Sequence, residues 1–226
     1  MNSQAFKDLV RSRFGALSDE TIVRIDAFRE LVLRENEQQN LTRLTSEDDF
    51  LYGHLADCWE LVASGFVDHP AMDIGSGVGV PGLLCSLISP MSWVLAESEQ
   101  KKAQFLARAA KELGVDQVVR VFSGRAEDFL KTETVKSVIA RAVGPVDRIY
   151  GWIRACSTWN NLVLLKGPGW ESEWQAFKKT KRGRELRVAQ IHTYRARPDH
   201  GNRLLIRIER VASSRIARQT VPRGTI

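Results

Sequence analysis

With 226 residues, 43% of them hydrophobic, the chain is long enough to bury one full core and carry a small appendage. No run of eighteen apolar residues occurs, and the opening "MNSQAFKDLVRSRF" holds charges where a signal peptide needs a hydrophobic stretch, so a cytoplasmic protein without a membrane span is expected. The net charge of +6 is unevenly placed: residues 166–226 hold fifteen Lys/Arg against five Asp/Glu, and residues 1–165 hold eighteen against twenty-two. Such a skew points to a polyanionic partner or to a solvated basic tail.

Residues 1–68 read as a helical extension. Ile22, Ile25, Phe28, Leu31 and Val32 recur at the spacing of one helix face, with Ser18 as N-cap. A second helix is expected from Ser46, where "SEDD" gives a cap oxygen followed by three carboxylates in the first turn, to Gly65. Asn40, between the two, reads as a residue that caps or pins a loop. Cys58, Cys85 and Cys156 are odd in number and set among apolar residues, as buried thiols are, and no CxxC or Cys/His cluster suggests a metal.

From Ala71 short apolar runs alternate with longer helical stretches, the pattern of βα units around a parallel sheet. Strands are expected at "AMDI", "WVLAE", "VVRVF", "VKSVIA" and "LVLLK", with helices beginning near Pro81, Glu99, Val146 and Glu171. "LRVAQIHTY" and "RLLIRIER", separated only by a loop, should pair as an antiparallel hairpin. The expected fold is therefore α/β and Rossmann-like over residues 69–212, a seven-stranded sheet with a terminal antiparallel hairpin, followed by a basic tail at 213–226.

"DIGSGVGVPG", Asp73 to Gly82, lies between the first of these strands and its helix, where open α/β sheets bind ligands against a helix N-terminus. Glycine there allows a sharp turn and leaves no β-carbon between backbone and ligand. Glu97 ends the next strand, about twenty residues on, where a carboxylate can accept both hydroxyl hydrogens of an adenosine ribose. Gly77, Gly79 and Gly82 satisfy the dinucleotide pattern GxGxxG, so a nicotinamide oxidoreductase is one reading. Pro81, which lacks an amide hydrogen, and the acid Asp73 both argue against a pyrophosphate. S-adenosylmethionine, with an ammonium, a carboxylate, an adenosine and no phosphate, is the other cofactor that fits. A binding module with a relic glycine loop, and a methyltransferase with a protein or small-molecule acceptor, are further alternatives.

"NLTRL", "HLADCW", "DIGSGVGVPG", "ESEQKKAQFL", "GRAED", "ARAV" and "LLKG" occur in the order and spacing of one family, and over residues 20 to 210 the chain resembles RsmG, also called glucose-inhibited division protein B. The resemblance implies a class I methyltransferase fold with an N-terminal helical cap and methyl transfer from S-adenosylmethionine to N7 of a guanine in 16S ribosomal RNA of the small subunit. By motif, Gly75, Val80, Ala126, Glu127 and Arg141 would contact the cofactor, joining Asp73, Gly77, Gly79 and Glu97 from the loop and its acid. His54 and Asp57, one helical turn apart, would face the same cleft, with His54 alternatively tying helix to sheet. The chain departs from the family at Val78 and Val80, where alanine and phenylalanine are usual, and at Cys58, where serine is.

Guanine N7 carries a lone pair and no proton, so no general base is needed and no catalytic residue stands out; Arg141 is a positioning residue for substrate or cofactor, or a structural ion pair. Lys166, the run Lys178, Lys179, Lys181, Arg182, Arg184 and Arg187, and Arg195, Arg197 and Arg203 around the hairpin loop form the expected RNA face. Trp170 and Trp174 could stack on a base or lie in the core. A monomer without a metal is expected.

Overall fold

The computed structural model describes residues 3–39, 41–42, 46–197, 199 and 201–211; Asn40 and the basic tail 213–226 lie outside them. Helix α1 (Ser3–Arg13) packs on α2 (Asp19–Gln39). Ser18 Oγ accepts the amide of Thr21 at 3.2 Å, and Asp19 and Glu20 occupy the first turn, so the start of α2 has both a cap and the charge its dipole favours. Ile22, Ile25, Phe28 and Val32 are buried, as their spacing requires. Asp26 and Arg29 interrupt that stripe and are also buried, paired at 3.0 Å, with the guanidinium 4.6 Å from the centre of the Phe6 ring. Burial of this pair is compensated by its mutual contact and by the α1 ring.

Ser46 caps α3 (Glu47–Phe50), its Oγ taking the Asp49 amide at 3.0 Å. The helix does not continue regularly to Gly65. Residues Leu51–Leu55 widen into a π-helical turn before α4 (Ala56–Ser64), which Gly65 ends in the left-handed conformation at φ 65°.

The sheet contains β1 (Ala71–Ile74), β2 (Trp93–Glu97), β3 (Val119–Ser123), β4 (Ser137–Arg141), β5 (Asn161–Lys166), β6 (Leu186–Tyr194) and β7 (Arg203–Arg210). Their order is β3-β2-β1-β4-β5-β7-β6, with β1 to β5 parallel and β7 antiparallel to both its neighbours. Strands β1, β2, β4 and β5 are buried nearly throughout because helices cover both faces. Alternate residues serve the two cores. Leu95, Ile139 and Val163 face α5 (Gly82–Ile88), α6 (Gln100–Glu112) and the N-terminal helices; Val94, Val138 and Leu162 face α7 (Ala126–Leu130), α8 (Val146–Ile153) and α9 (Trp170–Lys178). Helix α7, only five residues long, is too short to show a period and is not foreseen from sequence.

The strand order reverses between β1 and β4, and the crevice at their carboxyl ends is where such sheets take ligands. Gly82, at the start of α5, lies so close to the sheet that a β-carbon there would sit 2.4 Å from Leu95 Cδ2 and 3.0 Å from Asp73 Cβ. Gly82→Ala is therefore expected to destabilise the fold by about 1–3 kcal/mol through overpacking. Chemical denaturation showing no shift in midpoint would contradict that packing.

Candidate active site at the carboxyl edge of the sheet

The loop between β1 and α5 turns on three left-handed glycines, Gly75 (φ 65°), Gly77 (φ 54°) and Gly79 (φ 97°). Five of its amides are engaged within the protein. Gly75 and Ser76 donate to Ala96 O, Gly79 donates to Ser76 O, Gly77 donates to Glu97 Oε2 at 2.9 Å, and Gly82 donates to Asp73 Oδ2 at 3.0 Å. A pyrophosphate needs such amides free, so this loop suits a ligand without phosphate and disfavours the dinucleotide reading. Glu97 also accepts the Glu99 amide at 2.8 Å; each carboxylate oxygen keeps lone-pair capacity for a hydroxyl donor.

Burial pushes the Asp73 carboxyl up to about 7, against the opposing pull of the Gly82 amide. An acid raised in the folded state keeps its proton where the unfolded chain has lost it, so folding stability falls as pH rises from about 4 to about 7. The stability of wild type relative to Asp73→Asn is expected to decline across that window. A difference independent of pH in paired denaturation curves would show that the Asp73 carboxyl titrates normally.

A cleft of about 180 Å³ opens beside the loop. Ile74, Ala96, Ala126, Val143 and Trp152 form the apolar part of its lining; Ser98, Arg125 and Glu127 supply polar atoms. Of the nine residues assigned to the cofactor from sequence, Gly75, Ala126 and Glu127 line this cleft. Asp73 and Glu97 stand behind the loop and hold its amides, Gly77 and Gly79 shape it, and Val80 is buried in the core with Leu83 and Leu106. Arg141 borders a neighbouring cleft. Ser98, Val143 and Trp152 are additions from the fold: Ser98 directly follows Glu97 and Val143 ends the "ARAV" motif, so both are within reach of sequence reasoning, whereas nothing local marks Trp152.

That neighbouring cleft, about 340 Å³, is bordered by Asp57, Arg141, Lys166, Tyr194 and Arg203. The loop after β4 divides the two spaces, since Val143 lines the first while Ala142 and Gly144 line the second. Ala142 holds a left-handed φ of 57°, a strained conformation of the kind found at functional sites. Asp57, on α4, is the hub. Its Oδ2 accepts Arg141 Nε at 3.0 Å, and its Oδ1 accepts both Tyr194 OH and Arg203 Nη1 at 2.6 Å. Burial raises the Tyr194 hydroxyl far above its ordinary range, so it stays a proton donor to Asp57.

Arg141 completes its fork on the π-helical turn, donating to Gly53 O and to His54 Nδ1 at 3.3 Å. His54 and Asp57 thus meet through Arg141, since the widened turn aims both at the end of β4. Burial and then the Arg141 charge lower the His54 imidazole to about 3, so it is neutral, accepts at Nδ1 and turns its Nε2 proton toward Thr42 Oγ1, 3.5 Å away.

The expected RNA-facing cations separate into two groups. Lys166, at the end of β5, donates to Gly144 O at 2.8 Å and to both Glu173 oxygens at 2.8 and 3.1 Å. Arg195 is held by Asn202 Oδ1 at 3.0 Å, and Arg197 by Asp48 and Asp199 with its guanidinium 5.4 Å from the Tyr52 ring; both lie at this same edge, near Arg203. The run from residue 178 to 187 begins at the opposite edge, because Leu186 pairs with Arg210 whereas Lys166 pairs with Leu204, about 20 Å of strand away. Within it Lys178 turns inward onto Gly183 O and Leu186 O, Arg182 pairs with Asp147, Arg187 pairs with Glu209, and Lys179, Lys181 and Arg184 are exposed. Trp170 and Trp174 stack on each other at 5.3 Å and are buried, in the core and not on the surface. Cys58, Cys85 and Cys156 are free and buried. Among the described residues no helix is long and apolar enough to cross a membrane.

A glycine loop between the first strand and its helix, a cleft beside it at the β1–β4 crevice and a seven-stranded sheet ending in an antiparallel hairpin define a class I methyltransferase. The fold matches the N-terminal domain of human METTL16 in complex with SAH at a TM-score of 0.51 and 13% identity, over 82% of each chain. Residues 21–202 match the family described as rRNA small subunit methyltransferase G, GidB, and the chain belongs to that family. It is 34% identical to the ribosomal RNA small subunit methyltransferase G of Solibacter usitatus over 79% of this chain and 86% of that one, and 34% identical to that of Rhodopirellula baltica over 80% and 79%.

Proposed function

We propose that the protein transfers a methyl group from S-adenosylmethionine to N7 of a guanine in 16S ribosomal RNA, acting as a monomer in the cytoplasm and needing no metal. The observation that supports this reading most directly is the pairing of two clefts across the Ala142–Gly144 loop, one beside the glycine loop with a mixed apolar and polar lining, the other bordered by Arg141, Lys166 and Arg203.

S-adenosylmethionine supplies an electrophilic sulfonium methyl when bound. Gly75, Ala126, Val143 and Trp152 would hold its nucleoside against apolar surface, with Glu97, Ser98 and Glu127 as polar partners. The donor set fits, because carboxylates beside the loop match hydroxyls and an ammonium. Guanine N7 needs no deprotonation, and the two candidate bases beside the cationic cleft are already engaged: Asp57 accepts three donors and His54 faces Arg141 with its lone pair. These residues act by positioning and by excluding water. Positive charge passes to the purine during transfer, which favours acceptors such as strand-end carbonyls near the base.

Incubation with tritiated S-adenosylmethionine and small ribosomal subunits is expected to label the RNA, and cleavage at N7-methylguanine to map the nucleotide. RNA left unlabelled, with the cofactor bound, would favour a non-catalytic binder. Label in protein or at another RNA atom would also refute the assignment.

A further inference from the structure

The cationic cleft is, we infer, a phosphate subsite in which Arg203 grips the RNA backbone at the nucleotide being methylated. This rests on the RNA-methyltransferase reading and adds to it the residue that positions the acceptor strand.

Three cations border the cleft or its rim, Arg141, Lys166 and Arg203, and they meet two carboxylates, Asp57 and Glu173. With His54 neutral, one positive charge is left uncompensated. The hydrogen bonds show which side chain carries it to the ligand. Arg141 has Nε on Asp57, Nη1 on His54 and Nη2 on Gly53 O, so each of its three nitrogens has a partner. Lys166 is committed to Gly144 O and both oxygens of Glu173. Arg203 donates from Nη1 to Asp57 Oδ1 and to Tyr52 O at 3.0 Å, with the Tyr194 hydroxyl also beside its guanidinium; no hydrogen bond from Nε or Nη2 is seen among the described residues, and its side chain is 32% exposed. The cleft therefore presents one free guanidinium edge, held rigidly from behind by a buried carboxylate.

That edge has the geometry for two anionic oxygens. A phosphodiester offers them. The guanine O6/N7 edge offers two acceptors as well, but N7 must stay free to attack, and a cation on the purine would oppose the positive charge that arrives there. The backbone phosphate is the site where the charge helps binding without hindering transfer.

Phosphate-ethylation interference tests this whichever guanine is the target. Small subunits reconstituted from lightly ethylated RNA are methylated by the wild-type protein, and the labelled molecules are expected to lack ethylation at a phosphate flanking the labelled guanine. With Arg203→Gln that exclusion should disappear, KM for RNA should rise by about tenfold to a hundredfold, and kcat and the affinity for S-adenosylhomocysteine should change by less than about threefold. Arg203→Lys, which keeps a point charge without the fork, should recover part of the KM. Wild-type protein that shows no exclusion at either flanking phosphate overturns the proposal, as does exclusion that persists in Arg203→Gln at unchanged KM. Loss of cofactor affinity with KM for RNA preserved assigns the guanidinium to the cofactor and also overturns it. If Arg203→Gln does not fold, the wild-type pattern alone decides. Failure of the methyltransferase reading is distinct, since wild type would then incorporate no label.

Discussion

Asp57→Asn is expected to lower stability by about 3–5 kcal/mol, a fall in melting temperature on the order of 10 °C for a chain of this size, and to remove most methyl transfer. The carboxylate is buried and accepts three donors, Arg141 at 3.0 Å and Tyr194 and Arg203 at 2.6 Å. Asparagine keeps the shape but removes the charge, and its NH₂ group would face donors in place of an acceptor. Two guanidiniums are then left beside each other with no counter-charge, which is the costly way to break a buried ion network. Tyr194→Phe is the matched control. It removes one donor and leaves the charges unchanged, so it should lose only about 1 kcal/mol. Thermal melts in which Asp57→Asn and Tyr194→Phe behave alike would show that the network does not carry the site.

Gly75→Asp is expected to abolish cofactor binding, with affinity for S-adenosylhomocysteine falling at least about hundredfold by calorimetry. Gly75 sits at φ 65° on the wall of the cleft beside the glycine loop, and a β-carbon there would lie 3.3 Å from Val143 Cγ2. The added carboxylate would enter a confined space that already has Glu127 on its lining and Glu97 behind its loop, where the lining cation Arg125 stands 3.9 Å from Glu127. Unchanged affinity in a folded variant would refute the loop's role.

Much of the architecture was legible along the chain. The residues of "AMDI", "WVLAE", "LRVAQIHTY" and "RLLIRIER" are the observed strands β1, β2, β6 and β7, and Ser46 and Gly65 bound the helical segment they were expected to bound. The π-helical turn at Leu51–Leu55 was not legible, because its apolar spacing differs from that of an ordinary helix by one residue within a single turn. Its consequence is the aim of Gly53 and His54 at Arg141.

The basic C-terminal third shows the same division. Composition located the charge, yet only the β5–β7–β6 register shows that Lys166, Arg195, Arg197 and Arg203 share the cleft edge while the run from residue 178 to 187 begins at the far one. Nor could sequence tell that Lys178 turns onto main-chain carbonyls while Arg203 keeps a free edge.

By itself, then, the sequence determined the strands, the longer helices, the glycine loop and the family, because each is written in residues close together or in a fixed order. Tertiary structure decided which cation is neutralised and which is presented. Asp57 meets Arg141 from 84 residues away, Tyr194 from 137 and Arg203 from 146, and one carboxylate's share among three donors depends on where four segments of chain come to rest.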